Sequence, residues 1–331
     1  MTAAVSHGDP SAEVLPQSGS GTEPTMNEPA RPPSVLSDFV ALSKPGITVM
    51  CLIMAAGGFG LAFAHNGTPF DGAAAFRFVA MLVGTALSVA SANTLNMVIE
   101  REGDRHMRRT RDRPLPSGRM TVRTAIVFGV VTGLLSTWIL TAFVNPLTAA
   151  LGLFALFSYV LVYTPLKRRT PTSLTVGAVP GAVPPLMGWT AATGSFGAPG
   201  IALFAILFVW QLPHFIAISL YRARDYEAAG IKTVPGVRGG DAARLHSLLW
   251  SLVLVPTSLA LVVLGVAGTL YLAVAGALGA WFFVLSLRGF EPDSGNKWAR
   301  QFFLASLVYL PALTVALVID VLLFGAGAAG S

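Results

Sequence analysis

Apolar and polar residues alternate along this chain in long blocks rather than in the short periods of a soluble domain. Apolar stretches fall near 46–64, 78–100, 122–142, 147–164, 173–192, 200–221, 246–266, 269–287 and 302–324. Each approaches the roughly 20 residues that carry an α-helix across a bilayer. The pattern therefore predicts an all-α, polytopic membrane protein of about nine transmembrane helices. The gaps near 143–146 and 267–268 suit tight helical hairpins. Residues 1–38 are rich in Pro, Ser, Gly, Thr, Ala and Glu and lack apolar periodicity. They read as a disordered tail ahead of one intramembrane domain at 39–326. The tail has no basic region leading into an apolar core, so it is not a secretory signal.

Composition agrees with this pattern. Only 11% of residues are charged, against about 25% in ordinary soluble domains. If the N-terminus is placed inside, every one of the 22 Lys and Arg residues except Arg77 falls on the inside face. That asymmetry predicts a cell-membrane protein with its N-terminus and charged loops in the cytoplasm. It also accounts for the net charge of +6 without any nucleic-acid partner. Cys51 is the sole cysteine, so no intrachain disulfide exists.

The richest segment runs from Asn96 to Pro114. Asn96, Glu100 and Asp104 are spaced i, i+4, i+8. On a helix they share about 80° of arc over about 12 Å of axis. Two carboxylates and an amide at a membrane surface suit Mg²⁺, which favours few carboxylates together with phosphate oxygens. Arg101, Arg105, Arg109 and Arg113 follow and suit a phosphate. A loop that only sets topology would explain the arginines. It would not explain polar residues running back into the span at helical spacing.

A second polar segment closes the sixth span. It carries Trp210, Gln211, Pro213, His214 and Tyr221, then Arg222, Arg224, Asp225, Glu227 and Lys232. Pro213 is expected to kink the helix. His214 is the only histidine deep in a span, where an interhelical hydrogen bond is as good an explanation as function. Both polar loops follow helix ends on one face, which favours a shared cavity. Between them in sequence, Lys167 and Arg168 either contact a phosphate or hold the positive face, and Lys44 opens the first span toward the same side. Gly177, Gly181 and Gly188 with Pro180, Pro184 and Pro185 read as packing and cavity shaping. Asp320 lies toward the opposite face, where helix packing or water contact is the better reading. Walker, Rossmann and Cys-His metal patterns are missing.

These residues resemble a known family. Asn96-xxx-Glu100-xxx-Asp104 looks like the first aspartate-rich motif of the UbiA-type intramembrane prenyltransferases. Arg109-Thr110-x-x-Arg113-Pro114-Leu115, Tyr163-Thr164-x-x-Lys167-Arg168, Trp210-Gln211-x-Pro213-His214 and Asp225-Tyr226 resemble its heme O synthase branch. The resemblance implies a helical bundle around a central cavity open to the cytoplasmic face. It implies farnesyl transfer from farnesyl diphosphate to a vinyl group of heme B, with Mg²⁺ as cofactor. By position, it implies Asn96, Glu100 and Asp104 as Mg²⁺-diphosphate ligands, with Asp225 completing the catalytic set. Arg101, Arg109, Arg113, Lys167 and Arg168 would contact phosphate, and His214 and Tyr221 the substrate. A heme A synthase would be a partner. Two departures stand out: Glu100 replaces the usual Asp, and Arg224-Asp225 replaces the paired aspartates of quinone-type relatives. An aromatic acceptor is the nearest alternative. A transporter with broken helices would instead place its polar groups near the midplane.

Overall fold

The computed structural model describes residues 34–107, 110–292 and 294–325. A short helix α1 (Val35–Ser43) precedes α2 (Pro45–Asn66), α3 (Gly72–Asp104), α4 (Val122–Phe143) and α5 (Pro146–Phe157). A π-helical turn (Ser158–Tyr163) joins α5 to the short α6 (Thr164–Leu166). There follow α7 (Ser173–Thr193), α8 (Ala198–Tyr221), the short α9 (Ala223–Ala228), α10 (Val234–Val263), α11 (Thr269–Leu287) and α12 (Asn296–Phe324). No strand occurs among the described residues.

A long helix lies at each predicted stretch, and eight are long and apolar enough to cross a membrane. The other, α7, is diluted by its prolines, glycines and threonines. It is also the most enclosed, with nearly every residue from Ala182 to Ala191 buried. Polarity is tolerated there because neighbouring helices, not lipid, surround it.

Two predicted boundaries shift. The body begins at Val35 rather than 39, because the buried Asp38 carboxylate receives Arg119 at 3.0 Å and fixes α1. Residues 1–33 of the predicted tail lie outside the described residues. Part of the expected 222–245 loop is helical, because Thr233 Oγ1 accepts from Gly236 N at 3.2 Å and Pro235 starts α10. α10 then breaks at Gly239, whose φ of +85° only glycine adopts without strain. Pro213, the expected kink position, lies inside α8, which continues as one helix through it.

Small residues hold the bundle together. Gly188 on α7 faces the Ala55 carbonyl of α2 so closely that any side chain would collide with backbone, and Gly58 meets Pro185 in the same way. Serine hydroxyls join helices through backbone carbonyls: Ser91 to Gly129 at 2.6 Å, Ser136 to Gly84 at 2.7 Å and Ser88 to Gly152 at 3.3 Å. Close approach and interhelical hydrogen bonds replace the hydrophobic force that lipid cannot supply.

Asp320 has a packing role. Fully buried on α12, it accepts from the backbone N–H groups of Gly268 and Tyr271 at the start of α11. A carboxylate at a helix N-terminus satisfies orphan donors and favours the helix dipole. Asp320→Ala should cost about 1–3 kcal/mol of stability, and Asp320→Asn, which still offers an acceptor, should cost less. Thermal unfolding of the two variants in detergent measures this, and an Asp320→Ala protein as stable as wild type would refute the cap.

Candidate active site

The helical spacing of Asn96, Glu100 and Asp104 is realised. All three lie on α3 and are buried, at 1%, 7% and 4% exposure. Burial obliges each to find a partner. Asn96 Oδ1 accepts from Lys44 Nζ at 3.0 Å, and its Nδ2 donates to Thr164 Oγ1 at 3.0 Å. Glu100 pairs with Lys167. Asp104 Oδ2 receives Arg113 Nη1 at 2.8 Å, and Thr110 Oγ1 donates to the Asp104 carbonyl at 2.9 Å. One helix face thus organises a lysine before α2, an arginine from the loop after α3 and a lysine after α6.

Each cation is positioned by local structure. Lys44 adopts φ +48°, rare for a side-chain-bearing residue. Asn93 Nδ2 and Thr48 Oγ1 both donate to the preceding Ser43 carbonyl and hold the turn that aims Lys44 inward. Burial lowers the Lys44 pKa to about 8, with Arg113 adding to the effect and Glu100 opposing it. The π-helical turn brings Tyr159 and Tyr163 together, with ring centroids 5.3 Å apart, and Thr164 Oγ1 bonds the Tyr159 carbonyl at 2.8 Å. Such turns concentrate at functional sites. Gly103 leaves the space into which Arg168 extends its guanidinium.

This cluster forms the mouth of a cavity of about 440 Å³. Inward from the mouth the lining becomes mainly apolar, with Ala92, Val89 and Leu156 followed by Pro184 and Met187, and with Ser88 and Thr85 among them. Four cations, Lys44, Arg113, Lys167 and Arg168, line the space against two carboxylates, Glu100 and Asp104. The surplus charge suits an anion, and the apolar depth suits a long hydrocarbon.

Not every predicted residue arrives here. Arg101 follows Glu100 by about 100° of helix and turns to the surface, where it bonds the Val98 carbonyl and Glu102. Arg109 lies outside the described residues. α8 shows Gln211 and Phe215 to the cavity. One position round the helix, Trp210 and His214 face α12, donating to or sharing hydrogen bonds with Ser306 at 2.9 and 2.8 Å. His214 therefore sits in a helix interface and does not line the cavity. Tyr221 and Asp225 line a different hollow, with Arg222, Arg224, Arg244 and Trp298. Asp225 is exposed and pairs with Arg222 at 3.5 Å. From the same loop, Tyr226, Ala229 and Ile231 do reach the central cavity.

A metal fits the donor set in part. Among the described residues, no three His, Cys, Asp or Glu side chains converge as a complete site. Glu100, Asp104 and Asn96 offer the few oxygens that Mg²⁺ takes from protein when phosphate supplies others. The buried carboxylates already lie beside the phosphate-binding cations, which is the arrangement such sharing needs.

Residues 51–307 match the model of the UbiA prenyltransferase family. The chain belongs to the UbiA prenyltransferase family. A protoheme IX farnesyltransferase of Myxococcus xanthus is 48% identical over 87% of this chain and 96% of its own length. Another, from Anaeromyxobacter dehalogenans, is 48% identical over 87% and 95%. Among solved structures, a digeranylgeranylglyceryl phosphate synthase superposes with a TM-score of 0.71 at 16% identity, covering 86% of this chain and 98% of its own. A UbiA homologue from Archaeoglobus fulgidus bound to GPP and Mg²⁺ gives 0.60 at 19% identity, covering 85% and 99%. These structures share the fold.

The pairing at the mouth has a measurable signature. Lys167→Met leaves Glu100 buried without its cation, at a cost of about 3 kcal/mol. Adding Glu100→Gln should recover most of that loss. Thermal unfolding of the two single variants and the double variant gives the coupling. Strictly additive losses would show that the two side chains do not act as a pair.

Proposed function

We propose that this protein transfers farnesyl from farnesyl diphosphate to a vinyl group of heme B, adding water and releasing diphosphate to give heme O. The observation that carries this reading is the buried Glu100 and Asp104 pair, ringed by four cations at the mouth of an apolar cavity. The 48% identical farnesyltransferases, matched along nearly their whole length, support the choice of donor and acceptor.

The diphosphate lies at the mouth, where Lys44, Arg113, Lys167 and Arg168 receive its charge and Asn96 holds Lys44 in place. Asn96, Glu100 and Asp104 would hold Mg²⁺, which when bound would supply further neutralisation of the leaving diphosphate. The prenyl chain runs inward and is shielded from water. Tyr159 and Tyr163 line the wall near Lys167, and their ring faces favour the positive charge that develops on the allylic carbon when its C–O bond breaks. The vinyl π pair then forms the new C–C bond. The resulting cation on the porphyrin side takes a water molecule and loses one proton.

Cavity size constrains where heme B lies. A dry cavity of about 150 Å³ holds benzene, so a fifteen-carbon chain needs roughly 375 Å³. Little remains of 440 Å³. The porphyrin therefore stays largely outside and presents its vinyl edge at the mouth. We place all nine long helices across the plasma membrane, with the mouth on the cytoplasmic side, because the basic loops gather there. A heme A synthase is a fitting consumer of the product.

Membranes containing the protein, incubated with heme B, farnesyl diphosphate and Mg²⁺, should yield a heme heavier by one farnesyl and one water. Asp104→Asn should lower turnover at least a hundredfold while the protein still assembles in the membrane. Unmodified heme B, under conditions where an established heme O synthase converts it, would overturn the acceptor; prenylated aromatic acids would then identify another.

A further inference from the structure

We propose that Met187 sets the length of prenyl chain this cavity accepts. The inference rests on the prenyl-diphosphate reading above and concerns the opposite end of the same cavity. The lining helices agree on which end is deep. On α3 the lining runs from Asp104 at the mouth inward to Thr85, and on α7 from Gly177 inward to Met187. Thr85 and Met187 are thus the innermost positions of their helices, and both are nearly fully buried.

The depth matches fifteen carbons. From Asn96 to Thr85 is eleven residues of α3, or about 16 Å at about 1.5 Å each. From Gly177 to Met187 is ten residues of α7, or about 15 Å. The twelve-carbon main chain of farnesyl, zig-zagged at bonds of about 1.5 Å, extends roughly 14 Å. One more isoprene unit would have to pass Met187.

Met187 is suited to act as a stop. Its side chain is unbranched and adaptable, and it lies at the inner end of the lining. It packs with Leu140, Ala149 and Val183, and a Cβ added at Gly152 would stand 3.2 Å from a Leu140 methyl and 3.3 Å from the terminal methyl of Met187. Behind it the bundle is closed by the Thr148–Thr190 hydroxyl pair at 2.9 Å and by Asn145, which donates to the Thr190 carbonyl at 2.8 Å. Shortening Met187 therefore lengthens the cavity up to that closure. A methyl on Gly152 crowds Leu140 and Met187 together and so narrows the space at the chain end.

The test uses the full-length protein in bilayer discs with heme B, Mg²⁺ and an equimolar mixture of 10-, 15- and 20-carbon prenyl diphosphates. Product hemes are weighed by mass spectrometry. Wild type should strongly favour the 15-carbon product. Met187→Ala should raise the ratio of 20- to 15-carbon product at least fivefold, and Met187→Leu should keep the wild-type preference. Gly152→Ala, which retains Met187, should shift use toward the 10-carbon donor about twofold. Wild-type indifference to chain length, or unchanged ratios in active variants, would overturn the proposal. Failure of wild type to prenylate heme with any donor would instead overturn the functional reading on which it rests.

Discussion

Charge buried beside a membrane must be compensated, and that requirement organises this protein. Glu100 and Asp104 lie on one face of α3, each largely buried at the cavity mouth. An isolated carboxylate there would be protonated or would unfold the helix end. Lys167 and Arg113 provide the compensation, and Lys44 joins through Asn96. These cations come from three separate loops, so the pairings also pin the loops around a single mouth. With Arg168, these three cations leave two positive charges in surplus over the two carboxylates, and that surplus suits a diphosphate.

The rest of the fold serves the cavity below that mouth. Glycine contacts between α2 and α7 draw those helices together. The prolines of α7 and the π-helical turn before α6 disturb regular packing where the cavity lies. Irregular backbone is tolerated inside a membrane bundle where it lines a cavity or is covered by protein. On the opposite face Asp320 closes the α10–α11 turn, and no ligand is needed to explain that acid.

Much of this was legible in the sequence, for identifiable reasons. Long apolar blocks locate helices because a bilayer demands a set length. The i, i+4, i+8 spacing brings Asn96, Glu100 and Asp104 together because α3 remains regular to Asp104. Arg113 and Lys167 follow because the buried Asp104 and Glu100 carboxylates need cations, and Arg168 extends into the space that Gly103 leaves. Facing was not legible where one residue of rotation decides it. Gln211 and Phe215 turn to the cavity while Trp210 and His214 turn to α12, and Arg101 departs from Glu100 in the same way. Tyr221 and Asp225 end in a separate hollow because the chain reverses through α9, which the charged run concealed. Tyr159 has a weaker sequence signal still, since a π-helical turn changes the helical phase there.

The central claim is that diphosphate sits at the charged mouth while the prenyl chain fills the apolar depth. Cys51, the only cysteine, lines that cavity and reports on it directly. The decisive measurement is its rate of alkylation by a membrane-permeant maleimide, without ligand, with Mg²⁺ and inorganic diphosphate, and with Mg²⁺ and farnesyl diphosphate. The account predicts at least tenfold slowing by farnesyl diphosphate, little slowing by inorganic diphosphate, and loss of protection in Glu100→Gln. An unchanged rate under farnesyl diphosphate, in protein that is turning it over, would contradict this placement of the chain.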